Sequence, residues 1–124
     1  MGSIKNASEA HKVDMAELLS RVDNDYELLR DLVSIFQEEF PRHLEALRRA
    51  VGYSNLSQVK ITSHTMKGML ANLSANRGAA SAARLEQLAG AGSAASMANA
   101  LAEFEREIDG LLAEIQVRAE EAQP

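Results

Sequence analysis

The apolar residues between Leu28 and Val51 recur at spacings of three and four, and this period constrains the fold more than any other feature. An α-helix places residues three and four apart on one face, whereas a strand places every second residue there. We therefore predict one long amphipathic helix with the apolar face Leu28, Leu29, Leu32, Ile35, Phe36, Phe40, Leu44, Leu47 and Val51. Because the period continues in phase beyond Pro41, we expect a kink near Phe40 and not a break.

Three later stretches repeat the helical period. One covers residues 56–75, an alanine-rich one has its apolar positions over 79–88, and the last has them over 97–115. Short loops between them make neighbouring helices antiparallel. A short helix after the capping residue Asp14 precedes them, with the apolar positions Met15, Leu18, Leu19 and Val22. We expect an all-α fold, an antiparallel up-down-up-down four-helix bundle with an additional short N-terminal helix across one end.

The chain length fits a single domain. We expect a flexible tail or linker over residues 1–12, the helical bundle over 13–119 and a frayed C-terminus over 120–124. His11 lies in the tail with no neighbour to orient it, so it is interpreted as a solvated linker residue. Met1-Gly2-Ser3 resembles a cloning remnant, which would make the chain a domain excised from a longer protein.

Charge and composition exclude several classes of function. A net charge of −5 leaves no concentrated basic patch of the kind that binds nucleic acid. The lack of cysteine excludes disulfides and thiolate metal sites, and no apolar run is long enough to span a bilayer. We expect a cytoplasmic protein with no nucleic-acid partner and no direct membrane contact.

The segment from Ser63 to Gly68 carries the residues best suited to chemistry. At about 100° per residue, His64 projects away from the apolar stripe of its helix, on a face shared with Lys60, Lys67, Gly68 and Ala71. A neutral imidazole is a nucleophile near neutral pH, and Lys67, about 5 to 6 Å away, can offset the charge of an incoming phosphoryl group. Glycine costs about 1 kcal/mol in a helix interior, and the access that Gly68 gives a partner would explain its presence.

Other interpretations of the histidines are available. The pattern of histidine, lysine and glycine is short, and an ordinary surface histidine would have the same sequence. Glu39 and His43, one turn apart, could share a metal ion, but a dimetal site in a bundle needs paired Glu-x-x-His motifs and the chain has only three histidines. A surface ion pair is the simpler interpretation of these two residues, and we expect no metal site.

A longer run of sequence resembles a known family. His64-Thr65-Met66-Lys67-Gly68-Met69-Leu70-Ala71-Asn72-Leu73-Ser74-Ala75, followed by Ala83-Arg84-Leu85-Glu86, is similar to the signature of histidine-containing phosphotransfer (HPt) domains, the phosphorelay intermediates of two-component signalling. Residues 25–29 and 35–41 resemble the family's second helix. The resemblance implies a bacterial phosphocarrier without ATP-binding or autokinase activity. A hybrid sensor histidine kinase of the inner membrane is the expected parent, with this domain in its cytoplasmic part.

The resemblance also implies roles for individual residues. His64 would accept the phosphoryl group on its outer ring nitrogen, Lys67 would support that group, and Gly68 would leave room for the partner. Glu86 matches the family's Gln or Glu on the neighbouring helix and would contact the other ring nitrogen, which would fix the tautomer and make the ring more nucleophilic. An ordinary surface glutamate is the alternative interpretation of Glu86.

The implied partners are response-regulator receiver domains, together with histidine kinase domains of the same parent chain. A phosphoryl group would pass reversibly from a receiver phospho-aspartate to His64 and on to another receiver aspartate. We expect a monomer without a cofactor of its own, because Mg²⁺ would lie in the receiver's acidic site. The receiver would dock on a mainly apolar patch, with Lys60 and Lys67 attracting its acidic pocket. The candidate docking residues are Met15, Leu18, Leu19, Lys60, Gly68, Ala71 and Ala75, although the first helix would alternatively only cap the core.

Two other functions are compatible with a helical bundle. A helical adaptor that binds signalling partners without phosphotransfer would keep the bundle, but intact His64 and Lys67 argue against it. A small enzyme built on His64 and Glu86 would lack a second catalytic group.

The sequence departs from the family pattern at a few positions. Ser74 replaces the usual glycine, and large and small residues are exchanged at Met69, Leu70, Gly78 and Ser81, which we interpret as a volume exchange between the two helices.

Overall fold

A computed structural model describes residues 12–121 of the chain. Within this range the chain forms six α-helices and one 3-10 turn at Ala94–Ser96, and no residue of the range is in a strand. The prediction of an all-α bundle with a short N-terminal helix is confirmed. The helices are α1 (Met15–Arg21), α2 (Tyr26–Gly52), α3 (Leu56–Asn72), α4 (Asn76–Gly90), α5 (Met97–Ile108) and α6 (Leu111–Glu121).

Side-chain caps set the starts of the first three helices. Asp14, Asp25 and Asn55 each accept a hydrogen bond from the backbone N–H three residues later. Each bond satisfies one of the N–H groups that a helix start leaves without a partner inside the helix. The local sequence therefore determines where α1, α2 and α3 begin.

The bundle core is formed by α2, α3, α4 and a fourth helical position shared by α5 and α6, and the most extensive contact lies between α3 and α4. Two contacts give the direction of the last helices. Arg48 of α2 pairs with Glu105 of α5 at 3.2 Å, and Gln37, earlier in α2, contacts Gln116 of α6 at 3.2 Å. Because the position in α2 decreases as the partner's position increases, the segment formed by α5 and α6 runs antiparallel to α2.

The short helix α1 lies at the end of the bundle where α3 ends and α4 begins. The backbone N–H of Asp14 donates to the carbonyl of Ser74 at 2.9 Å, which ties the start of α1 to the turn between α3 and α4. Leu18 is fully buried, and Met15 is 9% exposed. The apolar face of α1 therefore closes the core at this end.

The segment after Met97 differs from the single helix that its period predicts. Asp109 has extended backbone angles and Gly110 has a φ of 76°, so the helix ends at Ile108 and begins again at Leu111. A positive φ favours glycine because it has no Cβ to clash with the backbone. The apolar period continues across this break, so the period alone does not indicate it.

Other helix ends also differ in detail from the expected ones. α2 continues through Pro41 as one helix, and the bend near Phe40 stays a prediction. α3 ends at Asn72, earlier than expected, because Ser74 adopts a φ of 56°. α6 remains helical through Glu121, beyond the point where fraying was expected. The predicted tail with His11, over residues 1–11, and residues 122–124 lie outside the described range.

A large and a small residue meet where α3 packs against α4. Leu70 is fully buried, and a Cβ added to Gly78 would lie 3.4 Å from its Cδ2 atom and 3.5 Å from Cγ2 of Ile108. Leu70 and Ile108 therefore pack close to the backbone of Gly78, and the volume exchange between the two helices stays a hypothesis. Met69, the other large residue that the hypothesis names on α3 beside Leu70, is only partly buried.

A search of the described helices for membrane spans found none that combines the length and the apolar character needed to cross a bilayer.

Candidate functional site

His64 lies in the middle of α3, and its side chain is 66% exposed. The preceding residue, Ser63, is fully buried and its hydroxyl donates to the carbonyl of Val59 at 2.6 Å. This hydrogen bond back to the preceding turn satisfies a polar group that faces the core. The helix therefore anchors one face in the bundle and presents the imidazole of the next residue to solvent.

Glu86 of α4 connects His64 to Lys67. Its Oε2 atom lies 2.8 Å from Nδ1 of His64, and Nζ of Lys67 donates to its Oε1 atom, also at 2.8 Å. The Glu86 side chain is only 20% exposed, because it lies in the groove between the two helices that pack most closely. Both carboxylate oxygens are thus held by residues that are one turn apart on α3.

The charge state of Glu86 determines which ring nitrogen of His64 carries the proton. The pKa of Glu86 lies below its ordinary value, chiefly because Lys67 donates a hydrogen bond to it; partial burial opposes this, and the hydrogen bond from His64 adds to it. An ionised carboxylate only accepts hydrogen bonds, so Nδ1 of the imidazole is the donor. In the neutral ring, Nε2 then has a free lone pair and is the nitrogen remote from Glu86.

Gly68 leaves an open space on the surface one turn beyond His64. A Cβ added there would meet no atom within 4 Å, in contrast to Gly78 in the core. No packing inside the described part of the chain therefore requires glycine at this position. The space is available to a second molecule that approaches the imidazole.

The Hpt domain family model matches residues 31–116, a span that includes His64, Lys67, Gly68 and Glu86. The chain belongs to the Hpt domain family. Hpt domains take part in histidine-containing phosphotransfer in two-component systems, where they interact with receiver domains, and they are phosphocarrier modules and not kinases. Comparison with curated proteins and with solved structures gave no match.

The predicted docking residues of this Hpt domain differ in solvent exposure. Lys60 and Gly68 are exposed, and Leu19 and Ala71 are partly buried. Met15, Leu18 and Ala75 are buried, which differs from their expected place on the docking surface. The reason is that α1 and the turn after α3 close the end of the core, as in the alternative in which the first helix only caps the bundle.

The sequence interpretation missed Ile61, which is 56% exposed and lies one turn before His64. Its position on the helical wheel gave a signal, because it falls about 60° from His64 and outside the core stripe of α3. Single exposed apolar side chains are common on protein surfaces, so the exposure of Ile61 alone assigns it no role.

The predicted alternative at Glu39 and His43 does not form a metal site in the described structure. Glu39 pairs with Arg42 at 3.7 Å, and His43 is partly buried on α2. Among residues 12–121, no group of three or more histidine, aspartate or glutamate side chains is arranged to hold a metal ion.

Proposed function

We propose that His64 of this Hpt domain accepts a phosphoryl group from the phospho-aspartate of a receiver domain and returns it to the aspartate of a receiver. The observation that carries this proposal is the hydrogen bond between Nδ1 of His64 and ionised Glu86. That bond leaves Nε2 unprotonated on a side chain that is 66% exposed. A nucleophile with this protonation and access suits attack on a phosphorus atom held by another protein.

In the forward step, Nε2 attacks the phosphorus atom of the receiver's acyl phosphate. The nitrogen–phosphorus bond forms, the bond between phosphorus and the aspartyl oxygen breaks, and the aspartate leaves as a carboxylate. The proton on Nδ1 remains in place, so the ring gains positive charge, and the carboxylate of Glu86 at 2.8 Å balances it. Because no proton leaves the ring, the same atoms serve the reverse step.

Lys67 assists by charge and by holding Glu86. Its ammonium has three N–H donors, and one of them reaches Oε1 of Glu86. The remaining donors are available to phosphoryl oxygens at the neighbouring imidazole, since residues three apart on a helix lie about 5 to 6 Å from one another. Lys67 therefore orients the carboxylate in the free domain and stabilises negative charge during transfer.

We assign any requirement for Mg²⁺ to the receiver domain. Phosphoryl transfer commonly uses a divalent cation to neutralise oxygens of the transferred group, and such a cation needs several carboxylate ligands. The single carboxylate of this site, Glu86, is occupied by His64 and Lys67. The acidic residues around the receiver's aspartate are the better ligand set.

A transfer assay tests the proposal. Receiver domains from the source genome are loaded with labelled phosphate, separated from the donor and incubated with this domain. We expect acid-labile, base-stable label on the wild type and on His43→Gln, and none on His64→Gln. Label on His64→Gln would contradict the assignment of His64, and a wild type that no receiver labels would favour an adaptor that binds without phosphotransfer.

A further inference from the structure

Two helical positions of the bundle carry a backbone irregularity. Pro41 lies inside α2 and has no N–H, so the carbonyl of Gln37 lacks its usual donor within the helix. The fourth position is interrupted between α5 and α6, where Asp109 is extended and Gly110 has a φ of 76°. Helices bend most readily where their hydrogen-bond ladder is interrupted in this way.

The contacts between α2 and the last two helices place both irregularities at the same level. The pairs Arg48–Glu105 and Gln37–Gln116 are eleven residues apart on each side, from 37 to 48 and from 105 to 116. With this spacing, Pro41 faces the first turn of α6, directly after the break.

The two irregularities line a common cleft of about 270 Å³. Pro41 and Leu44 form its side on α2, and Ile108, Gly110 and Leu112 form the opposite side. Of the four neighbouring helix pairs in the bundle, α2 and α5 have the least contact. Close packing resists a change in the angle between helices, and this resistance is smallest where a cleft separates them.

The helices on the α1 side of this level are tied to one another. One carboxylate oxygen of Glu114, on α6, accepts hydrogen bonds from the backbone N–H groups of Lys12 and Val13 at 2.9 and 3.2 Å. Gln116 of α6 contacts Gln37 in the first half of α2 at 3.2 Å. These contacts join α1, the first half of α2 and α6, which we call the end unit.

We propose that the bundle has a hinge at Pro41 and Asp109–Gly110, and that the end unit changes its angle to the half of the bundle that carries His64. The proline and the glycine absorb the change in backbone angles, as hinge residues do. His64 and Glu86 lie on α3 and α4, outside the end unit, so their hydrogen bond is kept during the motion. The motion therefore changes where α1 lies relative to His64 without altering the site itself.

The pivot of this motion is the turn between α3 and α4. The backbone N–H of Asp14 donates to the carbonyl of Ser74 at 2.9 Å, which holds the start of α1 to that turn. The cleft lies between α2 and α5, on the side of the bundle opposite the contact of α3 with α4. It opens and closes as the end unit turns about the pivot.

Relaxation-dispersion NMR on the ¹⁵N-labelled domain tests the hinge, because it detects motion on the microsecond to millisecond timescale of hinge bending. Pro41→Ala restores the missing donor in α2, and Ala113→Leu places a larger side chain in the cleft from α6. Gly52→Ala is the matched control, because it also favours α2 but lies at its other end with open space around it.

In the wild type, we expect the amides of residues 37–40 and 108–112 to show exchange with one common rate constant and one common population. Pro41→Ala and Ala113→Leu should each remove most of this exchange on both sides of the cleft, although each substitution changes only one side. Gly52→Ala should leave the exchange of both segments as in the wild type.

The absence of exchange in the wild type would overturn the hinge, as would different rate constants on the two sides of the cleft. A loss confined to the substituted helix would show two independent local irregularities in place of one hinge. Exchange of the His64 and Glu86 amides at the common rate would contradict the placement of the site outside the moving unit.

Discussion

At the scale of single residues, the carboxylate of Glu86 determines which ring nitrogen of His64 carries the proton. An amide at this position could either donate or accept a hydrogen bond, so both tautomers of His64 could be accommodated. The carboxylate, with its pKa held below the ordinary value chiefly by the hydrogen bond from Lys67, accepts only. Lys67 thereby influences indirectly, by its hydrogen bond to Glu86, which nitrogen of His64 is unprotonated.

Gly68 permits a prediction that separates stability from function. Gly68→Ala should stabilise the free domain by about 1 kcal/mol, because alanine is the better helix former and its Cβ meets no atom within 4 Å. The same methyl group should slow transfer with a receiver, since it occupies the space beside His64. Urea denaturation and the transfer assay measure the two effects.

The matched control is Gly110→Ala, because Gly110 also has open space around it but has a φ of 76°. This variant should be destabilised, since a side chain is strained in the left-handed region. If Gly68→Ala stabilised the domain and transferred phosphate at the wild-type rate, the role of Gly68 in admitting the partner would be wrong.

At the scale of helices, the turn between α3 and α4 carries an unfavourable residue. Ser74 has a φ of 56°, and its buried hydroxyl has no hydrogen-bond partner. Glycine, which the resemblance to the family leads us to expect at this position, would have neither feature. Ser54, in the same place after the end of α2, has a φ of 54° but is exposed.

The comparison of these two serines gives a prediction. Ser74→Gly should stabilise the domain by about 1 kcal/mol, because it removes backbone strain and an unpaired buried hydroxyl. The greater conformational entropy that glycine loses on folding offsets part of this gain. Ser54→Gly should change the free energy of unfolding by less than about 0.5 kcal/mol, since strain and chain entropy nearly cancel there. Thermal melts of both variants test this, and a gain for Ser54→Gly that equals the gain for Ser74→Gly would show that the hydroxyl has no cost.

The helices themselves could largely be predicted from the sequence. The apolar period and the capping residues Asp14, Asp25 and Asn55 locate α1, α2 and α3 because these signals act within one or two turns of the chain. The break at Asp109 and Gly110 was missed, because one glycine with a positive φ interrupts a helix without shifting its apolar period. The sequence left open whether α1 docks a partner or caps the core, and it did not indicate the burial of Ala75, because both depend on contacts between α1 and the end of α3.

At the scale of the whole molecule, the bundle brings together groups that are distant in sequence. Glu86 is 22 residues from His64, and their contact depends on the register between α3 and α4. The resemblance to the family could name Glu86 as a candidate, but the register depends on packing between the helices, such as that of Leu70 over Gly78. The antiparallel pairing of α3 and α4 thus builds the site from two helix surfaces, without a loop.

The most direct test of the central claim is an NMR measurement on the domain labelled with ¹⁵N-histidine, before and after treatment with phosphoramidate. In the untreated domain at neutral pH, the neutral ring of His64 should carry its proton on Nδ1. After treatment, the phosphorus should be bonded to Nε2 of His64, with Nδ1 still protonated. A phosphoryl group on Nδ1 of His64, or on His43 in place of His64, would contradict the account.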